Sequence, residues 1–291
     1  MSGDKMHINW YPGHMKKTIE LMQKNLKLVD VAVELLDARI PISSRNPQID
    51  QIIAEKPRVI ALNKSDLADS AVTLQWIRFF KSVGINTIPI DSLNGSGLDS
   101  LMNEIEIVTK PKMDALILRG IRKRSIRAMI VGIPNVGKSS LINRLTGKKS
   151  AKTGDKPGVT KGKQWVKIRG NIELLDMPGV LWPKFEDEEV ALRLAYTGSI
   201  KDEVLDIETI ALKLIEHLCL YFPDYIKERY KIDSIFETAL ENMEAIARRR
   251  GCILSGSRID YARVANIILD EFRSGQIGKI TLEIPVLSER Y

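Results

Sequence analysis

Gly-Ile-Pro-Asn-Val-Gly-Lys-Ser, residues 132–139, fits the pattern G-x-x-x-x-G-K-[ST]. A strand-like run, residues 128–131, precedes this segment, and a helical pattern follows it over residues 139–145. In that setting the glycines let the backbone wrap around an anion, so that successive N–H groups at a helix N-terminus face it. We expect Lys138 to reach the β- and γ-phosphates of a nucleotide and Ser139 to bind magnesium. The alternative is an ordinary turn between a strand and a helix, which the flanking elements disfavour.

Two further segments predict ligands for the same magnesium ion. Asp176-Met177-Pro178-Gly179 follows a predicted strand, as the second phosphate-sensing motif of P-loop proteins does. The Asp176 carboxylate would hold magnesium through water, and the Gly179 N–H would contact the γ-phosphate. Between the two motifs, Pro-Gly-Val-Thr at 157–160 offers Thr160 as a switch threonine for this ion. The alternative is a plain loop threonine.

Asn63-Lys64-Ser65-Asp66 is the motif that would select the base. The Asp66 carboxylate can accept hydrogen bonds from both the ring N–H and the exocyclic amine of guanine. Adenine offers neither in that arrangement and would leave the carboxylate unpaired. Lys64 would lie along the ring, and the asparagine would tie this loop to the phosphate loop. The predicted nucleotide contacts are Asn63, Lys64, Ser65, Asp66, Asp91, Ser92, Asn135, Val136, Gly137, Lys138, Ser139, Ser140 and Gly179.

The order of these motifs decides the fold. The base-selecting motif comes about 70 residues before the phosphate loop, whereas Ras-like GTPases have the phosphate loop first and the base motif last. Strand-like and helix-like segments alternate through this region, which is typical of a doubly wound, mostly parallel sheet. The sequence therefore predicts an α/β fold, a circularly permuted P-loop GTPase domain followed by a helical C-terminal domain.

Three regions are expected along the 291 residues, a length that suggests about two domains. Residues 1–25 form an N-terminal arm that contains Trp-Tyr-Pro-Gly-His-Met, and residues 26–187 form the permuted G domain. From residue 188 onward apolar residues recur at helical spacing, which predicts a separate helical domain over 188–291. The pattern Ser257-x-x-Asp260 suggests a capping box at the start of its last helix.

Composition favours an anionic partner. The formal net charge is +7, and basic stretches lie at 119–127 and 248–250, which could engage nucleic-acid phosphates. Residues 248–250 lie just before a glycine, so cations that favour a helix C-terminus are an equally good interpretation. No apolar run approaches the ~20 residues of a membrane helix, and the N-terminus lacks a signal-like segment. We expect a cytoplasmic, monomeric protein whose two cysteines are reduced thiols.

One residue of the usual catalytic set is missing. Val180 stands where Ras-like enzymes have a water-orienting glutamine, and a valine cannot position a nucleophile. His14 is the candidate to replace it. Spacing alone favours the alternative, in which this histidine serves local structure.

The chain resembles the ribosome biogenesis GTPase A family, the YlqF/RbgA-type circularly permuted GTPases. The resemblance spans nearly the whole chain. It rests on the segments 10–15, 36–41, 63–66, 132–140, 157–160, 176–179 and 270–275.

This resemblance implies a GTPase that acts in late assembly of the bacterial large ribosomal subunit, binds its precursor and rRNA, and is stimulated by ribosomal particles. It implies that His14 is catalytic. It also implies that Asn135 corresponds to the asparagine linked to potassium-stimulated GTPases, and that the helical domain binds rRNA. The segment 254–257 has one glycine where family members often carry a pair.

A second function stays open at this point. A guanine-nucleotide-binding scaffold could hold GTP or GDP and recruit proteins without significant turnover, and Val180 is the residue that keeps this alternative alive.

Overall fold

A computed structural model describes residues 14–53, 56–122, 124–147, 165–168, 170–182, 185 and 187–285, excluding the side chains of 14–16. Contacts divide this part of the chain into two compact units. The sheet unit comprises the described residues of 14–182 together with 281–285, and the helical unit comprises those of 185–280.

A mostly parallel sheet forms the centre of the sheet unit. Within the described residues six strands follow the order β3-β2-β1-β4-β6-β5, and every neighbouring pair is parallel except the antiparallel β5–β6 pair. All seven residues of β1 are buried, as expected for a central strand covered on both faces. The strands are β1 Val31–Asp37, β2 Arg58–Asn63, β3 Asn86–Pro89, β4 Ile126–Val131, β5 Trp165–Lys167 and β6 Ile172–Asp176.

The chain order reverses direction between β1 and β4. The path runs outward from β1 through β2 to β3 and then returns to place β4 on the other side of β1. In open α/β sheets this switch point gathers loops at the carboxyl ends of the strands and is the usual place for a ligand. The predicted α/β class with a mostly parallel sheet is therefore confirmed.

Helices cover the faces of this sheet. Asp69 caps α3, because its carboxylate accepts from Val72 N at 2.9 Å. The apolar face of α3 then buries Trp76 and Phe80 against side chains of β1 and β2. The helices of the sheet unit are α1 His14–Leu26, α2 Pro47–Ile53, α3 Ser70–Ser82, α4 Leu98–Leu118 and α5 Lys138–Thr146.

The helical unit follows the predicted apolar periodicity. Thr238 and Glu241 form a capping box at the start of α9. At α10 the predicted capping box is wrong: Asp260 is itself the N-cap and accepts from Arg263 N, while Ser257 lies in a 3₁₀ turn. The helices are α6 Glu188–Tyr196, α7 Ile207–Tyr221, α8 Pro223–Tyr230, α9 Ala239–Arg250 and α10 Tyr261–Arg273.

The C-terminal end of the chain does not stay with the helical unit. Leu282 N donates to Arg39 O at 2.8 Å, and Trp76 Nε1 donates to Glu283 O at 2.9 Å. Residues 281–285 therefore belong to the sheet unit, whereas the sequence placed them in the helical domain. Helical periodicity ends well before this segment, so the pattern gave no signal for where the segment packs.

None of the helices in the described part of the chain is both long and apolar enough to cross a membrane.

Candidate nucleotide site

The phosphate loop connects β4 to α5 at the switch point. Glu34 of β1 pairs in register with Val131, the last residue of β4, and α5 begins seven residues later at Lys138. Gly137 caps α5 in the left-handed region with φ of +105°. A Cβ atom at this position would collide with the side-chain amide of Asn63, so the loop requires glycine here for both its conformation and its space.

The Lys138 side chain is buried inside this loop. Its Nζ donates to Gly132 O at 3.1 Å and to Ile133 O at 2.5 Å. Burial lowers the pKa of Lys138 to about 8, although the Asp176 carboxylate opposes that shift. The ammonium group is thus held by loop carbonyls at the place where the sequence predicts the phosphates of a nucleotide.

Asp176 ends β6 beside the phosphate loop, in register with Ile130 of β4. Burial raises the pKa of this carboxyl, while Lys138 lowers it. Ser139 and Ser140 lie half-buried in the first turn of α5. The hydroxyl-bearing first turn of α5 and the Asp176 carboxylate thus follow or end two neighbouring strands, β4 and β6.

The segment after Asp176 lies directly on the phosphate loop. A Cβ atom at Gly179 would lie 2.8 Å from Pro134 N and 2.7 Å from Lys138 Nζ, so only glycine allows this approach. Val180 N then donates to Gly132 O at 3.2 Å.

The Val180 side chain is fully buried. The main-chain carbonyl of Val180 accepts from Asn46 Nδ2 at 3.0 Å. Val180 is therefore a packing residue whose main chain fixes the segment. Its side chain has no polar group, so any residue that orients water must be another one. Asn46 is a contributor that sequence reasoning missed.

Asn63 joins the base-selecting loop to the phosphate loop. Its Nδ2 donates to Val136 O at 2.7 Å, and its Oδ1 accepts from Ser92 N at 3.0 Å. The side chain is buried, and a single amide thus connects three loops. The sequence predicted the tie from Asn63 to the phosphate loop.

Lys64 is held in place by a buried ion pair. It adopts a left-handed conformation with φ of +60°, and its Nζ lies 2.9 Å from the Asp37 carboxylate at the end of β1. Arg39 also binds Asp37 through Nη2 at 2.8 Å and Nε at 3.0 Å. Burial alone would raise the pKa of Asp37, but Arg39 and Lys64 hold it well below the ordinary range of a carboxyl.

Asp37 and Arg39 were not predicted as site residues. A usable signal was present, because residues 37–39, Asp-Ala-Arg, follow a buried apolar strand. Asp37 also pairs in register with Asn63 of the neighbouring strand, a proximity that only the sheet topology reveals.

The loop that follows β3, here called the third loop, carries Asp91 and Ser92. The Asp91 carboxylate accepts from Leu93 N at 2.8 Å and Asn94 N at 3.1 Å, so this side chain builds the turn. Ser65 donates to Ile90 O through its hydroxyl at 2.9 Å. These bonds hold the third loop against the base-selecting loop.

Two predicted residues fall outside this description. Helix α1 begins at His14, but the His14 side chain and the whole of Thr160 lie outside the described residues. Asn135 is exposed within the phosphate loop and has φ of +55°.

The predicted basic stretches are partly structural. Arg124 binds Asp30 through two hydrogen bonds of 2.7 and 2.8 Å. At the end of α9, Arg250 pairs with Glu271 at 2.7 Å and Arg248 with Glu244 at 2.9 Å.

Three motifs thus meet at the carboxyl ends of the parallel strands: a G-x-x-x-x-G-K-S loop, a D-x-P-G segment and an N-K-x-D loop. Together they define a P-loop protein of the guanine-nucleotide-binding class, with its motifs in circularly permuted order.

Comparisons with known proteins agree. The family model described as "50S ribosome-binding GTPase" matches residues 127–247. The chain is 49% identical to ribosome biogenesis GTPase A of Bacillus cereus, over 96% of this chain and 95% of that protein. The chain belongs to the ribosome biogenesis GTPase A family, and it is a GTPase.

Other similarities extend this result. The mouse mitochondrial ribosome-associated GTPase 1 is 34% identical over 96% of this chain and 90% of its own length. The crystal structure of GNP-bound YlqF from T. maritima is similar with a TM-score of 0.66 and 28% identity, covering 92% of this chain and 98% of that one. The circularly permuted fold and the resemblance drawn from the sequence are therefore confirmed.

The collision at Gly137 leads to a prediction with a matched control. We expect Gly137→Ala to displace the Asn63 amide and weaken guanine-nucleotide binding by at least roughly tenfold, since a buried amide loses its partners. Gly84→Ala is the control, because Gly84 also has a positive φ of +79° but no described atom would lie within 4 Å of its Cβ. Nucleotide titration and chemical unfolding of both variants measure the two effects. Equal nucleotide affinities for the two variants would contradict the importance of this contact.

Proposed function

We propose that the protein hydrolyses GTP on the precursor of the bacterial large ribosomal subunit and acts late in its maturation. Family membership supports the GTPase activity and a role in ribosome assembly. The family model described as "50S ribosome-binding GTPase" supports the choice of the large subunit. The observation that carries the nucleotide part of the proposal is the Asn63 junction, because it holds a base-selecting loop and a phosphate loop together.

The nucleotide would lie across the phosphate loop, the base-selecting loop and the third loop. Asp66 would read guanine, with Lys64 along the ring and the backbone of Asp91 and Ser92 beside the base. The phosphates would lie against the loop N–H groups and the Lys138 ammonium. The contacts proposed around the phosphates are Asn135, Val136, Gly137, Lys138, Ser139, Ser140 and Gly179.

The residues present fit a magnesium ion. A serine hydroxyl at Ser139 and the half-buried Asp176 carboxylate are hard oxygen donors, which together with phosphate oxygens and water suit octahedral Mg²⁺. Thr160 is the proposed switch ligand. When bound, the ion would neutralise charge that develops on the phosphate oxygens. Asn135, exposed in the phosphate loop, is the proposed ligand for potassium.

Lys138 would keep its charge during the reaction. Its lowered pKa of about 8 reflects burial among carbonyl groups, and a phosphate placed beside it favours the charged form. The ammonium would then stabilise the additional negative charge of the transition state. His14 would orient the attacking water, because the Val180 side chain is buried and does not occupy that role.

The alternative function, a nucleotide-binding scaffold without turnover, depended on Val180. The buried Val180 side chain supplies no water-orienting group, so turnover requires one from another residue. Membership of a GTPase family favours turnover.

The helical unit is the proposed rRNA-binding part. A shallow pocket of about 260 Å³ is lined by Arg229, Tyr230, Lys231, Arg249 and Arg250. Arg229 and Arg250 pair with Glu271, so Lys231 and Arg249 are the cations proposed to bind phosphate groups, and such binding weakens steeply with salt. We also propose that the protein works as a cytoplasmic monomer, which fits a factor that acts on ribosomal particles.

The function as a whole is tested by turnover measurements. We expect GTP hydrolysis to increase when immature large-subunit particles are added, and to increase more in potassium than in sodium. Mature small subunits are the control. Turnover that is unchanged by large-subunit particles would contradict the proposed partner, and equal rates in the two salts would contradict the potassium site.

Base selection gives a second prediction. In Asp66→Asn the side-chain amide presents N–H groups to the guanine amine, so GTP affinity should fall by roughly 100-fold while xanthosine triphosphate binding improves. Asp114→Asn, a change on the exposed face of α4, is the control and should keep the preference for guanine. Competition binding measures both. An unchanged preference in Asp66→Asn would mean that another group reads the base.

A third prediction concerns His14. If this histidine orients water, His14→Ala should bind GTP with nearly normal affinity but hydrolyse it about 10²–10⁴-fold more slowly on particles, the usual contribution of a positioned catalytic group. His7→Ala, outside the Trp-Tyr-Pro-Gly-His-Met motif, is the control. Single-turnover kinetics measure the chemical step. A normal rate for His14→Ala would assign the residue to local structure.

A further inference from the structure

Three residues that follow the helical unit in sequence are buried within the sheet unit. Thr281, Leu282 and Glu283, here called the strap, are each at most 7% exposed. They follow Ile280, the last residue of the helical unit. A short segment that buries a carboxylate must satisfy it with hydrogen bonds, and the partners of the strap lie on both sides of the base-selecting motif.

On one side the strap builds the loop that follows β1. The Glu283 carboxylate accepts from Ile42 N at 2.7 Å, from Ser43 N at 3.0 Å and from the Ser43 hydroxyl. Leu282 N donates to Arg39 O at 2.8 Å. The loop at 38–44 is therefore folded around the Glu283 carboxylate.

The loop at 38–44 is anchored to Asp37, the residue that holds Lys64. Asp37 N donates to the Ser44 hydroxyl at 3.0 Å, which closes the loop at its base. The Asp37 carboxylate in turn binds Arg39 at 2.8 Å and Lys64 at 2.9 Å. A chain of direct contacts thus runs from Glu283 through one buried loop to the ammonium of Lys64.

On the other side the strap holds the start of α3. The Thr281 hydroxyl oxygen accepts from Asp69 N at 3.1 Å, and the Glu283 carbonyl accepts from Trp76 Nε1 at 2.9 Å. Asp69 is the N-cap of α3 and lies three residues after Asp66. The strap therefore supports the base-selecting motif at two points. One is Lys64, through the loop at 38–44, and the other is Asp69, which follows the motif.

We propose that Glu283 and Thr281 are positioning residues of the guanine site, and that release of the strap weakens base binding while the phosphate loop stays formed. This inference rests on the proposed assignment of Lys64 and Asp66 to the base. Glu283 acts through the loop at 38–44, and Thr281 acts through Asp69.

The first test compares Glu283→Ala with Ile284→Ala in the full-length protein. Ile284 adjoins the strap but is 70% exposed, so its truncation should leave the strap in place. We expect Glu283→Ala to raise the Kd for GDP roughly tenfold, because Lys64 would lose its fixed position and with it one charged contact to the base. Amide hydrogen exchange should become faster at 38–44 and 64–69. Ile284→Ala should match wild type.

Faster exchange in Glu283→Ala with an unchanged Kd for GDP would overturn the inference, since the strap would then be released without effect on the base. Thr281→Val keeps the shape of the side chain and removes the acceptor of Asp69 N. If Glu283→Ala does not fold, Thr281→Val is the test variant in its place, and its Kd for GDP should increase about threefold. An unchanged Kd in a folded Thr281→Val would overturn the inference in the same way.

A double-mutant cycle with Lys64→Ala separates positioning from general loss of stability. If Glu283 acts through Lys64, its replacement should change the Kd for GDP much less in the Lys64→Ala background than in wild type. If replacing Glu283 changed the Kd for GDP by the same factor in both backgrounds, Glu283 would contribute to stability alone, and the inference would be overturned. If wild type itself does not prefer GDP over ADP, the proposed function fails instead.

Discussion

The arrangement of the site depends on one buried side-chain amide. Asn63 donates to the phosphate loop at Val136 O and accepts from the third loop at Ser92 N, so the residue must offer a donor and an acceptor at once. An aspartate could only accept, and would leave the Val136 carbonyl without this donor at a cost of about 1–3 kcal/mol. The junction also explains Gly137, because the amide occupies the space that a Cβ would need. It fixes the separation of the loops that would bind the two ends of a nucleotide.

Circular permutation preserves this junction because the strands are parallel. The carboxyl ends of β2, β1 and β4 meet at the same edge of the sheet whichever strand comes first in the chain. Register places Asp37 beside Asn63 on one side of β1, and Glu34 beside Val131 on the other. The strand that opens the sheet in sequence is thus central in space, and its terminal loop lies between the base-selecting and phosphate loops. This position lets Asp37 hold Lys64.

Motif order and apolar periodicity were enough to predict the fold class, the helical second unit and the contact from Asn63 to the phosphate loop. They failed where contacts join distant segments. The ion pair of Asp37 with Lys64 depends on strand register, and the hydrogen bond from Asn46 to the Val180 carbonyl spans 134 positions. The sequence placed Glu283 only within the 188–291 helical domain, and its burial follows from bonds to Ile42 and Ser43 in a distant loop. Local patterns carry no information on such pairings.

Position 180 shows how a residue can serve a site through its main chain. The position is used through its main chain, since Val180 N donates to Gly132 O and Val180 O accepts from Asn46, while the side chain fills the core. A phosphate that draws the Gly179 N–H towards itself would work against these two bonds, each worth about 1 kcal/mol net. These two bonds by themselves therefore hold the segment only weakly. A glutamine at 180 would have to be buried without partners for its side-chain amide, or would expel this segment from the core.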